Sequence, residues 1–464
     1  MNRLPPEVLS HIIQYIPKGY ARDTNLIIPM THVCRYWRNS IISSPENWTR
    51  ISSQRIGIAK LSLERCRTRS VELWLDLRQV GITPGFFDLI TPHLQKTRVL
   101  GVDSPFMKKE FYPTLQKILP LTPNLRSLSL NGGIGSCIFG RPKDPCGQLT
   151  PSLTHLDLSN TPFYPSFLRL RTLTSLRIHR PPFGLHLDPL LDFLEENRAL
   201  EYAVLNIRFD ASSLQNTRYR DLIENRLRRL SITSDNAVDI DGLLSKIAVQ
   251  EGAHLEVCLY ARDAGLEPIC SLVSLGHLSN LRSPTFMEYS PNEGSLKTIR
   301  LLGPNGSFLL KRTAEKEPSF VEFPLLPLDE IRTFYLKHSL WGIGRPRSVP
   351  TTFPPSSFPA LETLVIERVT HISFLLSTLF SDPSSSPQLK TLAFLGCEID
   401  DGFVEELTQF SSCRKDAWIH CVVIVDSGCQ LPRVALIDEL RKHVPIVDVR
   451  VGKELPFDLK WDGG

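Results

Sequence analysis

The stretch QLKTLAFLGCEIDDGFVEEL, residues 388–407, has the spacing apolar-x-x-apolar-x-apolar and then continues into a segment typical of a helix. Leu389, Leu392 and Phe394 give this spacing, and Asp400 or Asp401 suits the start of the helix. The first apolar position of the pattern recurs at Leu125, Leu153, Leu173, Leu200, Leu227, Leu255, Leu296, Ile331, Leu361 and Leu389. The commonest interval is about 28 residues, which is in the range of repeats that stack into an elongated array.

These repeats predict one architectural class. Ordering one unit costs about 1–2 kcal/mol per residue, whereas each buried leucine returns only about 1.5–3 kcal/mol, so a single unit does not fold alone. Stacked units share a core, and we expect their strands to form one curved parallel sheet with helices or loops outside. Residues 388–407 and LDLSNT, residues 156–161, resemble the cysteine-containing leucine-rich repeat. The resemblance implies an α/β solenoid, with insertions in the longer intervals that begin at Leu255 and Leu296.

The first fifty residues have a helical pattern instead. Pro5 and Pro6 suit the first turn of a helix. The apolar residues Leu9, Ile12, Ile13 and Ile16 then recur on one side of it. A further helix is expected near Thr31, with Val33 and Trp37 on its apolar side. Helices this few and short bury little apolar surface among themselves. The pattern leaves open whether their remaining apolar side covers the next domain or binds a separate protein.

The runs RLPPEVLSHIIQYIP, residues 3–17, and THVCRYWRNSIISSPENWTRI, residues 31–51, together resemble an F-box. F-boxes dock on the small SKP-family adaptor of cullin–RING ubiquitin ligases, so the resemblance implies this docking. Carried over position by position, it assigns the adaptor contact to Leu4, Pro5, Val8, Leu9, Ile12, Val33 and Trp37.

In the repeat pattern the third and fifth positions point away from the shared core, so we expect them to line the concave surface. Arginine and tyrosine are enriched at binding hot spots. The predicted target-binding residues are therefore Arg177, Tyr202, Arg229, Arg300 and Tyr335. With His155, His179 and Lys337 nearby, the pattern predicts a weakly basic, partly aromatic surface that suits an acidic segment of a target. The alternative is an ordinary solvated sheet face.

Composition argues against several other classes of function. A net charge of +4 over 464 residues is small for a nucleic-acid-binding protein. No run approaches the ~18 apolar residues of a membrane span. The ten cysteines include no Cys-x-x-Cys pair, so we expect neither a disulfide framework nor a metal site, and most cysteines should be reduced and buried. No P-loop, G-x-S-x-G or H-E-x-x-H pattern is present, so we expect no enzyme activity and no cofactor.

The predicted organisation is an F-box-like helical domain at 1–50, a linker helix or first repeat cap at 51–70, a solenoid at 71–452 and a C-terminal tail at 453–464. The leading hypothesis is a substrate-recognition subunit of an SCF-type cullin–RING ubiquitin ligase. It would bind the adaptor, and through it a cullin, with its N-terminal helices, and an unknown target protein with the solenoid. The alternatives are a leucine-rich-repeat scaffold without a ligase role and a hydrolase hidden in an α/β array. The absence of a signal-peptide pattern predicts a cytoplasmic and/or nuclear protein.

Overall fold

The computed structural model describes residues 4–15, 27–77, 84–104, 111–132, 152–163, 167, 170–181, 185–209, 222–224, 226–260, 278–293, 296–313, 328–337, 358–369, 372, 376, 388–397, 399, 402–413, 419–426 and 434–451. The chain divides into two compact units, Met1–Arg226 and Leu227–Gly464. Each unit contains a sheet of mostly parallel strands, which confirms the predicted α/β repeat class. The predicted boundaries near residues 50, 70 and 452 stay predictions.

The first unit begins with short helices that pack on one another. They are α1 (Pro6–Tyr15), α2 (Ile27–Thr31) and α3 (Arg35–Ser43), followed by a 3₁₀ turn at Pro45–Trp48. The sulfur of Cys34 accepts a hydrogen bond from the Trp37 amide at 3.4 Å and so caps the start of α3. Leu9, Ile41 and Trp48 are buried and supply the core of these helices.

A sheet of parallel strands follows in the first unit, and its strands pair in chain order from β1 to β7. The elements are β1 (Arg50–Ser52), α4 (Ile56–Cys66), β2 (Val71–Asp76), α5 (Pro84–Ile90), β3 (Thr97–Asp103), α6 (Phe111–Ile118), β4 (Ser127–Asn131), β5 (His155–Ser159), β6 (Ser175–His179), α7 (Leu187–Glu196), β7 (Tyr202–Asn206) and β8 (Ile223–Glu224). Side chains alternate along each strand, so Leu128 and Leu130 of β4 are buried while Ser127 and Ser129 are partly exposed. We call the buried side the core face and the opposite side the outer face.

The helical region continues directly into this sheet. The Trp48 indole N–H donates to the Ile41 carbonyl at 2.9 Å, and the Arg65 guanidinium of α4 lies over the Trp48 ring at 4.4 Å. Only Thr49 separates the 3₁₀ turn from β1, which pairs in parallel with β2. The N-terminal helices are therefore fixed to the first repeat by a buried anchor and by strand pairing.

In the second unit the strands pair in the spatial order β9-β11-β14-β13-β12-β15-β16-β17-β18-β19. Its elements are β9 (Arg229–Ser234), α8 (Ala237–Leu244), β10 (Ile247–Ala248), β11 (Ala253–Leu259), β12 (Phe286–Glu293), β13 (Leu296–Gly303), β14 (Gly306–Thr313), β15 (Thr333–Lys337), β16 (Thr363–Glu367), β17 (Thr391–Leu395), α9 (Gly402–Cys413), β18 (Cys421–Asp426), α10 (Val434–His443) and β19 (Ile446–Val451). The phenylalanines Phe308, Phe334 and Phe394 lie on the core face and are fully buried.

One repeat assignment was wrong. Leu296 begins β13, which is antiparallel to both neighbours, β12 and β14, and is not a parallel repeat strand. The repeat series is continued instead by β14 beside β11 and by β12 beside β15. The reversal follows from a tight turn between Gly303 and Gly306, where Gly306 has φ of +129° and a Cβ would lie 2.4 Å from the Ala253 carbonyl oxygen. Only glycine fits this close approach.

Candidate protein-binding surfaces

The N-terminal helices expose large apolar side chains. Leu4, just before α1, and Val8 and Ile12 within α1 are spaced four residues apart and are 41%, 41% and 40% exposed. Val33, just before α3, is 61% exposed, Pro5 is exposed and Trp37 is half-buried. The Tyr36 hydroxyl donates to the Leu4 carbonyl at 2.6 Å, which holds the start of the first helix against α3. We call Leu4, Pro5, Val8, Ile12, Val33 and Trp37 the apolar helical surface.

Leu9 does not belong to this surface, and its assignment as an adaptor contact is corrected. It is 1% exposed, because α1 packs against α3 and the 3₁₀ turn with its Leu9 side. The predicted stripe grouped Leu9 with Ile12, whereas the helix turns them to different sides, one buried and one exposed. Ile16 lies outside the described residues. Ile42 of α3, 38% exposed, is a further apolar side chain that the sequence did not single out as a contact.

The outer face of the first unit brings several predicted residues into cross-strand register. Asp157 of β5 lies opposite Arg177 of β6, and Tyr202 of β7 lies opposite Ser175. Arg177 and Tyr202 are exposed, as is His179. Burial lowers the pKa of His179, assisted by Arg180, and therefore favours its neutral form. Burial raises the pKa of Asp157, which the charge of Arg177 opposes.

This outer face does not have the predicted basic character. The acidic residues on its strands are Glu72, Asp76, Asp103 and Asp157, whereas the arginines on the same face are Arg50 and Arg177. Arg50 is already paired with Glu72 at 2.8 Å. The Asn131 amide donates to Asp103 at 3.0 Å, and the Gln54 amide donates to Asp76 at 2.7 Å. A preference for an acidic partner is therefore not supported on this unit.

In the second unit, Glu256 is the centre of an ion network on the outer face. Its carboxylate lies 2.8 Å from Lys311 and 3.6 Å from Arg229, and it accepts a hydrogen bond from the Ser231 hydroxyl at 3.4 Å. Burial alone would raise the pKa of Glu256, but the hydrogen bond and charge of Lys311, together with Arg229, outweigh it and lower the pKa. The same hydrogen bond raises the pKa of Lys311. Both groups are charged in this arrangement.

The other two predicted target residues of this unit are also engaged within the chain. The Arg300 guanidinium lies 3.7 Å from Glu288 on the adjacent strand. The Tyr335 hydroxyl donates to the Glu367 carboxylate, and burial together with this acceptor raises the pKa of Tyr335. Each of the three predicted target residues of the second unit thus has an acidic neighbour on the outer face. The repeat pattern did not reveal these pairs.

The described residues hold no group of three or more His, Cys, Asp and Glu side chains placed to bind a metal ion. Among the same residues, no helix combines the length and the apolar character that crossing a membrane requires. Cys34, Cys66, Cys258, Cys397 and Cys421 are free thiols. Cys66 and Cys258 are buried as expected, whereas Cys34 is exposed.

Comparison with known proteins identifies one part of the chain. Residues 1–54 match the F-box-like family and form an F-box-like domain. Among solved structures, the chain is similar to a leucine-rich-repeat protein of Leptospira interrogans, with 13% identity, a TM-score of 0.30 and coverage of 85% of this chain and 91% of that chain. No curated protein matches the chain in sequence.

Proposed function

We propose that this protein is the substrate-recognition subunit of an SCF-type cullin–RING ubiquitin ligase. The F-box-like domain at residues 1–54 binds a SKP-family adaptor and, through it, a cullin, while the outer faces of the repeat sheets bind a target protein. The chain performs no bond chemistry in this role. It raises the effective concentration of the target beside the ubiquitin-carrying enzyme, which accelerates transfer by proximity and orientation.

The observation that carries the proposal is the apolar helical surface. Val8 and Ile12 lie one turn apart on the exposed side of α1, and Leu4 precedes them at the same spacing; apolar side chains on one side of a helix are the arrangement with which a helix enters an apolar groove. Fully burying an aliphatic side chain is worth about 1.5–3 kcal/mol, and these side chains are about 40% exposed and still have part of that to gain. Leu9, on the opposite side, holds the domain together and leaves the exposed side available to a partner.

The junction between the helices and the first repeat supports a role in positioning. Trp48 is buried, bonded to Ile41 and covered by Arg65, and β1 adds to the sheet directly after it. Glu46 of the 3₁₀ turn also forms an exposed ion pair with Arg69, three residues after α4. An adaptor bound to the helices would therefore have a fixed orientation relative to the first strands of the sheet.

The test is binding of the full chain to a purified recombinant SKP-family adaptor. Val8→Asp places a charge in the centre of the apolar helical surface, and we expect it to reduce binding at least about tenfold, since losing a hot-spot contact costs about 2 kcal/mol or more and about 1.4 kcal/mol corresponds to a factor of ten. Val238→Asp in α8 is the matched control, because Val238 is also a helical valine and is 42% exposed. It should leave binding unchanged.

Equal binding by the parent chain and both variants would reject the apolar helical surface as the contact. Failure of the parent chain to bind any SKP-family adaptor would favour a leucine-rich-repeat scaffold without a ligase role. For the target, we propose contacts from Arg177, Tyr202, Arg229, Arg300 and Tyr335. Proximity labelling in cells, with the parent chain and with alanine at these positions, would identify proteins captured only by the parent, in the cytoplasm and/or the nucleus.

A further inference from the structure

The segments that lead into β2, β3 and β4 lie side by side at the amino-terminal ends of these strands, and their charges have one sign. They are residues 66–70, 91–98 and 119–126, all of which the structure describes. These segments contain five cationic side chains and no carboxylate. We use the name basic rim for the cationic residues Arg67, Arg69, Lys96, Arg98 and Arg126.

The fold, rather than any attraction between these side chains, brings the cations together. The Lys96 ammonium donates to the Arg67 carbonyl at 2.6 Å, which joins the first segment to the second. The Arg126 backbone N–H donates to the Arg98 carbonyl at 2.8 Å, which joins the second segment to the third. Neighbouring strands lie about 4.8 Å apart, so the rim is only about 10 Å wide. Like charges held this close repel one another, and an anionic partner would relieve that repulsion.

Much of this positive charge is accessible and is not neutralised by the protein itself. Arg98 and Arg126 are exposed, and within the described part of the chain neither forms an ion pair with a carboxylate. Arg69 pairs with Glu46 of the 3₁₀ turn, but both side chains are exposed, and exposed ion pairs contribute little to stability. The rim can therefore accept carboxylates from another molecule without breaking a strong internal contact.

This concentration of one charge is local. The segment before β7 in the same unit, residues 195–201, contains three glutamates and one arginine. In the second unit the residues directly before β15, β16 and β17 are Arg332, Glu362 and Lys390, whose charges alternate in sign. A long polyanion that continued along the strand ends of the first unit would meet the glutamates, so the rim fits a short anionic segment.

The composition of the rim favours a protein segment over other anions. A phosphate group is bound where several donors converge on one point, as at the start of a helix, whereas these cations are spread over three segments. Single-stranded nucleic acid stacks its bases on aromatic side chains, and the three segments contain no Phe, Tyr or Trp. An extended peptide advances about 3.3 Å per residue, so three or four consecutive residues match the width of the rim.

We propose that the basic rim binds a short protein segment rich in Asp and Glu, which lies across the amino-terminal ends of β2, β3 and β4. Guanidinium groups bind carboxylates with two parallel hydrogen bonds, so the arginines of the rim fit these side chains well. The outer face of the first unit gives no such preference, because its own carboxylates lie there, and the basic rim is a separate surface. Recognition of the acidic segment does not depend on the ligase role. Only the statement that the segment belongs to a target for ubiquitylation rests on the proposed function.

Fluorescence anisotropy of a labelled hexaglutamate peptide, titrated with the full chain, tests the rim. Arg98→Glu with Arg126→Glu should weaken peptide binding at least about tenfold, because two attractions become repulsions. The matched control is Arg332→Glu with Lys390→Glu, which changes the net charge equally at exposed positions before strands of the second unit. It should keep the affinity close to that of the parent. Raising the salt from about 0.1 M to about 1 M shortens the screening length from about 10 Å to about 3 Å and should remove most of the parent's affinity.

Equal affinity of the two double variants, or no binding by the parent chain, would overturn the proposal. Tighter binding of a labelled oligothymidylate than of the peptide would overturn it in favour of a nucleic acid, and displacement of the peptide by inorganic phosphate would overturn it in favour of a phosphate site. If the glutamate variant shows faster hydrogen exchange in β3 and β4, Arg98→Gln with Arg126→Gln replaces it and should give a smaller loss of affinity in the same direction. Because no adaptor is present in this assay, failure of the rim is distinguishable from failure of the ligase role.

Discussion

Alanine at two adjacent positions of α1 should separate the stability of the F-box-like domain from its binding. Leu9 is 1% exposed and packs inside the domain, whereas its neighbour Val8 is 41% exposed. Leu9→Ala should therefore destabilise the domain, and Val8→Ala should leave its stability unchanged but weaken adaptor binding. The two substitutions differ by one position in the sequence, so their local helix context is nearly the same.

The burial of each side chain sets the expected size of its effect. Replacing a buried leucine with alanine costs about 2–5 kcal/mol, which includes the cavity left behind. Surface substitutions usually stay within about 0.5 kcal/mol. A loss of about 2 kcal/mol raises the population of the locally open domain roughly 30-fold, since about 1.4 kcal/mol corresponds to a factor of ten.

Hydrogen–deuterium exchange of the full chain is the appropriate assay, because a chain with two units need not unfold in one step. Amides of α3, which packs against α1, should exchange roughly 30-fold faster or more in Leu9→Ala and at the parental rate in Val8→Ala. Adaptor affinity, measured below the temperature at which the domain opens, should fall in Val8→Ala. Equal protection loss in both variants would refute the division of α1 into a buried and a binding side.

Two further predictions concern the outer faces. Gly101→Ala should destabilise the first unit by about 1–3 kcal/mol, because a Cβ there would lie 2.1 Å from Cε3 of Trp74. The same substitution should cost much less in a Trp74→Ala chain; equal losses in the two backgrounds, measured by hydrogen exchange of the β2 and β3 amides, would contradict the contact. Because the folded pKa of Glu256 is lowered, its stabilising effect is present above the unfolded pKa and is lost as the pH falls through the folded pKa. Glu256→Gln should therefore make the stability of β11 less dependent on acid pH. The measurement is hydrogen exchange of the β11 amides at neutral and at acid pH, and an equal pH dependence in variant and parent would contradict the ion pair with Lys311.

The repeat period predicted the class of fold, because leucines at fixed spacing must be buried together whichever repeat carries them. It did not predict the reversal at β13, since alternation along GSLKTIRLLG, residues 294–303, is the same for parallel and antiparallel strands. The available signal was the turn. Gly303 and Gly306 flank a proline and an asparagine between two alternating runs, which is typical of a hairpin.

The sequence predicted only part of the apolar helical surface, because exposure follows from periodicity only when a helix has a single apolar side. Leu4, Val8 and Ile12 fit the F-box resemblance and are exposed, but the same helix has a second apolar side that includes Leu9. When two apolar sides share one short helix, periodicity alone does not say which of them packs inward. The answer depends on α3 and Trp48, which lie far away in sequence, and so it required the tertiary structure.

The outer-face pairs constrain what kind of target the second unit can hold. A target that presents only carboxylates would approach Arg229 and Arg300, but it would also meet Glu256 and Glu288 beside them. Like charges brought together at an interface are costly, so each cation gained brings a repulsion with it. A target segment that carries both signs of charge, or neutral hydrogen-bonding groups, avoids this cost. We therefore expect recognition on this face to depend on the spacing of the target's polar groups more than on its net charge.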